Sequence, residues 1–94
     1  MKAAWDEVRR LIDADAVHRR GFTLKEVGPH FILHQAEMEL AELKRAPNDP
    51  TELADVLGVL IHYAVKKGWT EEQLEELMLA KFKERFRIPN QTGE

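Results

Sequence analysis

Ninety-four residues make one domain with a thin core, since a chain of this length buries only about two-thirds of the surface that it exposes when unfolded. Hydrophobic residues at 44% and charged residues at 33% exclude disordered and fibrous classes, and the absence of cysteine excludes disulfides and thiolate metal centres. A formal charge of -3, with basic residues scattered and densest in "HRR" and "KR", provides no stripe for tracking a nucleic-acid duplex.

The opening "MKAAWDEVRR" lacks the apolar run of a signal peptide, and no stretch is long enough to span a bilayer. The expectation is a cytoplasmic chain without a membrane partner. Trp5, Val8 and Ile12 recur at helical spacing and predict a first helix from about residue 3 to 18. "RRGFTLKEVGP" breaks it. Pro29 opens a second helix, because the first helical position needs no amide hydrogen, and "APNDP" ends it near Arg45. Asp49 as N-cap and Pro50 in the first turn start a third, which Gly68 terminates. Thr70 with Gln73 forms a capping box, Trp69 with Leu74 a hydrophobic staple, and the fourth helix runs to about Phe86. No segment alternates at period two. The prediction is therefore an all-α, four-helix bundle-like domain over residues 1–94: helix and connector over 1–28, motif-bearing helices over 29–87, and a loose tail over 88–94.

Two tetrapeptides stand out, E-L-A-E (Glu39 to Glu42) and E-L-A-D (Glu52 to Asp55). His30, His34, Glu37, Lys44 and Arg45 form the polar face of the second helix, and Gln35, Glu39 and Glu42 fall almost opposite, between apolar residues. The third helix is apolar nearly all round, yet Glu52, Asp55 and His62 share one sector of it. Residues three apart on a helix stand roughly 5–6 Å apart at Cβ, so each acid pair can share a hard cation, and two antiparallel helices would converge all four. Carboxylates without Cys or paired His suit Mg²⁺ or Mn²⁺ rather than zinc. Such a site can clamp a polyphosphate and activate water. On the fourth helix, Lys81 and Arg85 continue the stripe of Leu74, Leu77 and Met78 and are expected to point toward the acids, where they would neutralise a leaving phosphate. Glu52 has a second reading, as the reciprocal member of a D-P-T-E capping box on Asp49. His62 is a core or interface histidine or, alternatively, a substrate contact.

With E-x-x-E, E-x-x-D and a basic terminal helix in that order, the span from Phe31 to Phe86 resembles the MazG-like all-α nucleoside triphosphate pyrophosphohydrolases. The resemblance implies Mg²⁺-dependent cleavage of a (d)NTP between its α and β phosphates, giving a nucleoside monophosphate and pyrophosphate. It implies that Glu39, Glu42 and Asp55 hold metal, that Glu52 is a ligand or positions the attacking water, that Lys81 and Arg85 serve catalysis and substrate binding beside Gln35 and His62, and that the chain forms a homodimer or homotetramer. The chain departs from the family pattern in its short connector "LKRAPNDPT", in Gln35 where many members carry lysine, and in "KFKERF", which lacks a frequent asparagine and carries Glu84. "ADVLGVLIHYAVKKG" is also similar to phosphoribosyl-ATP pyrophosphohydrolases, a branch with another substrate. The contrasting class is a non-catalytic helical oligomerisation or regulatory module.

Overall fold

The computed structural model describes residues 1–86, so the tail expected over 88–94 lies outside the described residues. Four α-helices follow in chain order: α1 Lys2–Asp13, α2 Pro29–Arg45, α3 Pro50–Lys66 and α4 Glu71–Arg85. Among the described residues there is no strand, only an isolated antiparallel bridge between Val17 and Thr23. Among the described residues no helix is long and apolar enough to cross a membrane.

Helix α1 stops earlier than its periodicity suggests. Asp15 adopts a left-handed φ of 54°, which lets the Ala16 N–H reach the Leu11 carbonyl at 3.0 Å and close the helix end. Aspartate here takes the place usually held by glycine, which its short polar side chain permits. The freed residues then reverse direction. His18 N–H donates to the Phe22 carbonyl at 2.6 Å and Gly21 N–H to the His18 carbonyl at 2.7 Å, with Gly21 supplying the positive φ of 98° that the tight turn requires. What reads in sequence as a break is a small hairpin. The His18 ring stacks on Phe22 at 4.4 Å, and Phe22 meets Phe31 of α2 edge-on, fixing the hairpin to α2.

The remaining boundaries agree with their capping residues. Asp49 accepts from Thr51 N–H and begins α3. At its other end the Trp69 N–H reaches the Ala64 carbonyl and Gly68 adopts a φ of 80°, which together make the glycine-dependent Schellman closure. Thr70 and Gln73 cap α4 reciprocally. Trp69 lies edge-on to Tyr63, while Leu74 packs against the core cluster of Trp5, Ile61 and Ala64.

Helix α3 is central: α2 packs along it and α1 lies across it. Ile32 is completely buried between them, and the Trp5 indole N–H donates to the Trp69 carbonyl, tying α1 to the α3–α4 turn. Two surfaces remain uncovered. One is a groove of about 860 Å³ lined by residues including Leu33, Leu40, Val56 and Leu60, bordered by His30, His34 and Glu37 of the expected polar face. The other is α4 itself, where no residue is buried and Leu77, Met78, Leu79 and Phe82 are more than half exposed. The buried stripe expected on α4 is therefore corrected: among the described residues only Leu74 of it packs against the core cluster, and Leu77 and Met78 are exposed. The radius of gyration of 16.1 Å reflects that projection, against about 12 Å for a compact chain of this length.

Candidate metal centre

The antiparallel contact of α2 and α3 brings together acids that are ten or more residues apart in sequence. One carboxylate oxygen from each of Glu39, Glu52 and Asp55 lies within 4.8 Å of the other two. Glu39 and Glu52 are half-buried and Asp55 is exposed. Glu42, one turn along α2 from Glu39, is half-buried and close enough for its charge to act on both Glu39 and Glu52. All four expected ligands thus share one neighbourhood. The inward burial expected for them is corrected to a cleft with an open side, because no described element covers Asp55.

The electrostatics of the cleft are those of an incomplete site. Desolvation, and then the charges of Glu42 and Asp55, push the carboxyl of Glu39 above its ordinary range, while Arg20 and Arg19 pull it back. Glu52 is likewise raised by desolvation, by Glu42 and Asp55, and by Asp49 and Glu39. Its Oε2 is shielded from solvent and has no hydrogen-bond partner. A shielded carboxylate oxygen among like charges is expensive unless a cation compensates it. Part of the cost is offset because Glu52 occupies the first turn of α3, where the helix dipole favours negative charge.

The two readings of Glu52 separate here. Asp49 caps α3 through Thr51, accepting from its N–H at 3.0 Å and its hydroxyl at 2.6 Å, and Glu52 makes no reciprocal bond to Asp49. Its carboxylate belongs to the acid cluster. Three oxygen donors on two rigid helices, with an open side for water and phosphate oxygens, fit a hard divalent ion such as Mg²⁺ or Mn²⁺.

The cations expected on α4 are elsewhere. Lys81 is exposed and lies 3.8 Å from Glu84, and Arg85 is exposed in the last turn of α4. Neither is among the charges that act on Glu39 or Glu52. Within one chain, the positive charge near the acids comes instead from Arg19 and Arg20 on the hairpin. In sequence these belong to a basic cluster with no evident destination; only the turn at Gly21 and the Phe22–Phe31 contact bring them over α2.

Next to the acids lies a smaller cavity of about 180 Å³, lined in part by His18, Phe22, Gln35, Gly58, Val59 and His62. Gln35 precedes Glu39 by one helical turn, and Gly58 and Val59 follow Asp55 by one turn. The cavity and the acids are therefore consecutive stations on the same α2–α3 seam. His62 is 8% exposed, the one buried polar residue among those described, and its Nε2 has no partner. Burial holds its pKa below the ordinary histidine range, with Lys66 and His18 adding to the effect and a hydrogen bond to the Leu24 backbone opposing it. A buried unpaired ring nitrogen costs about 1–3 kcal/mol.

Comparison with protein-family models, with curated proteins and with solved structures found no match to this chain. Its class, as far as fold and site define it, is an all-α four-helix domain carrying a half-exposed carboxylate triad.

Proposed function

We propose that the chain is a Mg²⁺- or Mn²⁺-dependent nucleoside triphosphate pyrophosphohydrolase of the MazG-like kind, with Glu39, Glu42, Glu52 and Asp55 as its metal-holding acids. The observation that carries this reading is the convergence of carboxylate oxygens from E-L-A-E and E-L-A-D within 4.8 Å, one acid of the three retaining a shielded and unpartnered oxygen. A bound divalent ion would supply a more acidic water and screening of the triphosphate charge. Glu39 and Asp55 would hold that ion from opposite helices. Glu52, whose Oε2 is shielded and has no hydrogen-bond partner, is the acid that takes the proton of the attacking water. Hydrolysis adds water across the α–β bridge, so that a nucleoside monophosphate and pyrophosphate leave. Arg19 and Arg20 are placed to attract the polyphosphate.

A second copy of the chain completes the unit in this proposal. The exposed apolar side of α4 and the groove between α2 and α3 each present large hydrophobic side chains suited to contact with a second copy. Lys81 and Arg85 are exposed on α4, and among the described residues Lys81 pairs with Glu84 of its own helix. We assign them to the acid cleft of the neighbouring copy, where they meet the leaving pyrophosphate.

The test is a screen of the common and modified (d)NTPs, with phosphoribosyl-ATP included, in Mg²⁺ and in Mn²⁺. Products are followed by phosphorus NMR. Monophosphate and pyrophosphate in equal amounts, lost on adding EDTA, are the expected result. Diphosphate with orthophosphate, or no turnover of any nucleotide, leaves a non-catalytic helical module as the better description.

A further inference from the structure

The cavity beside the acids combines three features that a packing defect does not require. His62 is buried with its Nε2 unpartnered. The stacked rings of His18 and Phe22, 4.4 Å apart and within 9° of parallel, form an aromatic wall supported by Phe31. Gly58 stands in the middle of α3, where glycine is a poor helix former, and a Cβ built there meets nothing within 4 Å. Gly58 is also one of the residues that line the cavity.

We infer that this cavity takes the heterocyclic base of the nucleotide, with His62 Nε2 accepting a hydrogen bond from a ring or exocyclic N–H and Gly58 leaving the ring its space, an inference that rests on the triphosphate reading of the acid cluster. The size agrees. A volume of about 180 Å³ holds one planar ring system but falls short of the pockets that enclose whole drug-sized ligands, roughly 300–1,000 Å³. The sugar and phosphates must then run outward, and the acids lie one helical turn away along the same seam. The sense of the hydrogen bond follows from the histidine. In the tautomer that acts here Nδ1 carries the proton, which leaves the buried, unpartnered Nε2 a bare acceptor. Gln35 on the opposite wall has both a donor and an acceptor and meets another edge of the ring. A site built to accept an N–H discriminates against an analogue without one, since the buried nitrogen is then left unpaired.

Two variants and one spectroscopic titration test this. Gly58→Ala places a methyl group in the open space: the expected result is a higher melting temperature together with a KM for the preferred nucleotide raised about tenfold. His62→Phe keeps the ring and removes the acceptor, and should raise KM by a similar factor with little change in kcat. A Gly58→Ala protein that is more stable and has an unaltered KM overturns the inference, because the cavity is then only a void. Failure of this inference and failure of the hydrolase reading are told apart by the ¹⁵N resonance of His62 Nε2 during titration with nucleoside monophosphates in EDTA. A shift without any triphosphate hydrolysis supports the base pocket and removes the hydrolase; hydrolysis without a shift retains the hydrolase and removes the pocket.

Discussion

The seam between α2 and α3 and the outer helix α4 carry the same kind of sequence signal, charged residues interrupting an apolar stripe, and the fold treats them differently. On the seam, two helices face each other along their length, so that Glu39, Glu52 and Asp55 are brought within ligand distance. On α4, the stripe of Leu77, Met78 and Phe82 is exposed, and Lys81 and Arg85 remain in water. Periodicity tells which face of a helix is suited to burial and is silent about what buries it. Where the partner is the adjacent helix, joined by the short turn at residues 46–49, the acids come together as expected, with Asp55 exposed rather than turned inward. Where no described helix covers the stripe, periodicity misplaces the cations.

The sharpest break in that comparison is chemical. Asp55→Asn removes an exposed ligand from the seam and should lower pyrophosphate release at least about 100-fold, given that even the outer supports of metal ligands are typically worth 10–100-fold. Mn²⁺ binding followed by electron paramagnetic resonance should weaken in parallel. Full turnover in this variant would move the site away from the seam altogether. Folding should be unharmed or improved, since one of several crowded negative charges is gone.

The next test concerns α4. If its cations serve the cleft of a second copy, Lys81→Ala and Asp55→Asn are each inactive alone, yet mixing equal amounts after dissociation regenerates one intact site in half of the dimers. About a quarter of wild-type activity should return for a two-fold symmetric pair. Leu77→Glu places a charge in the exposed apolar patch and should shift the chain to a monomer by sedimentation, with activity lost although the acids are untouched. No recovery on mixing would return Lys81 and Arg85 to an ordinary solvated role.

A smaller effect distinguishes the seam from an ordinary acidic surface through pH. The carboxyls of Glu39 and Glu52 are held above the ordinary glutamate value of 4.5. In the metal-free protein the folded state therefore binds their protons more tightly than the unfolded state does. Their contribution to stability is fully present below the unfolded value and is lost as pH rises through the raised one. Urea unfolding in EDTA across this range should show the wild type losing stability relative to Glu39→Gln/Glu52→Gln as pH increases. Asp49 and Glu7, held below their ordinary values, act in the opposite sense but equally in both proteins, so they cancel in the difference. Saturating Mg²⁺ should abolish the loss for the wild type alone, because binding to the folded cluster adds its own stabilisation. A flat difference across the range would mean that the acids do not act on one another.

Much of the fold was legible because it is encoded locally. Pro29, Asp49, Pro50, Gly68 and the Thr70–Gln73 box each satisfy backbone groups within a few residues, and those boundaries were found where they were predicted. The end of α1 was not, because Asp15 in the left-handed region is an uncommon helix stop whose role depends on the hairpin that follows. The acids were legible through the polar face on the other side of α2, which left Glu39 and Glu42 without a solvent reason for their position. Arg19 and Arg20 were not, since their place is set by the contact of Phe22 with Phe31, a pairing across the hairpin that no spacing rule announces. Gly58 did carry a signal, a glycine inside a helix, whose meaning depends on the space beside it.

The smallest predicted effect separates the two acids at the start of α3, of which sequence alone made Asp49 the N-cap and left Glu52 between a capping role and the metal. Asp49 accepts from both the N–H and the hydroxyl of Thr51, so Asp49→Ala should cost about 0.5–2 kcal/mol in thermal or urea unfolding, as loss of a helix cap does. Glu52 caps nothing, and Glu52→Gln should leave the metal-free midpoint unchanged or higher while turnover falls. The pair thus divides by observable: one residue moves stability and spares kcat after correction for the folded fraction, and the other moves kcat and spares stability. A Glu52→Ala protein that unfolds as early as Asp49→Ala would restore the capping role and leave the seam with Glu39, Glu42 and Asp55 as its acids.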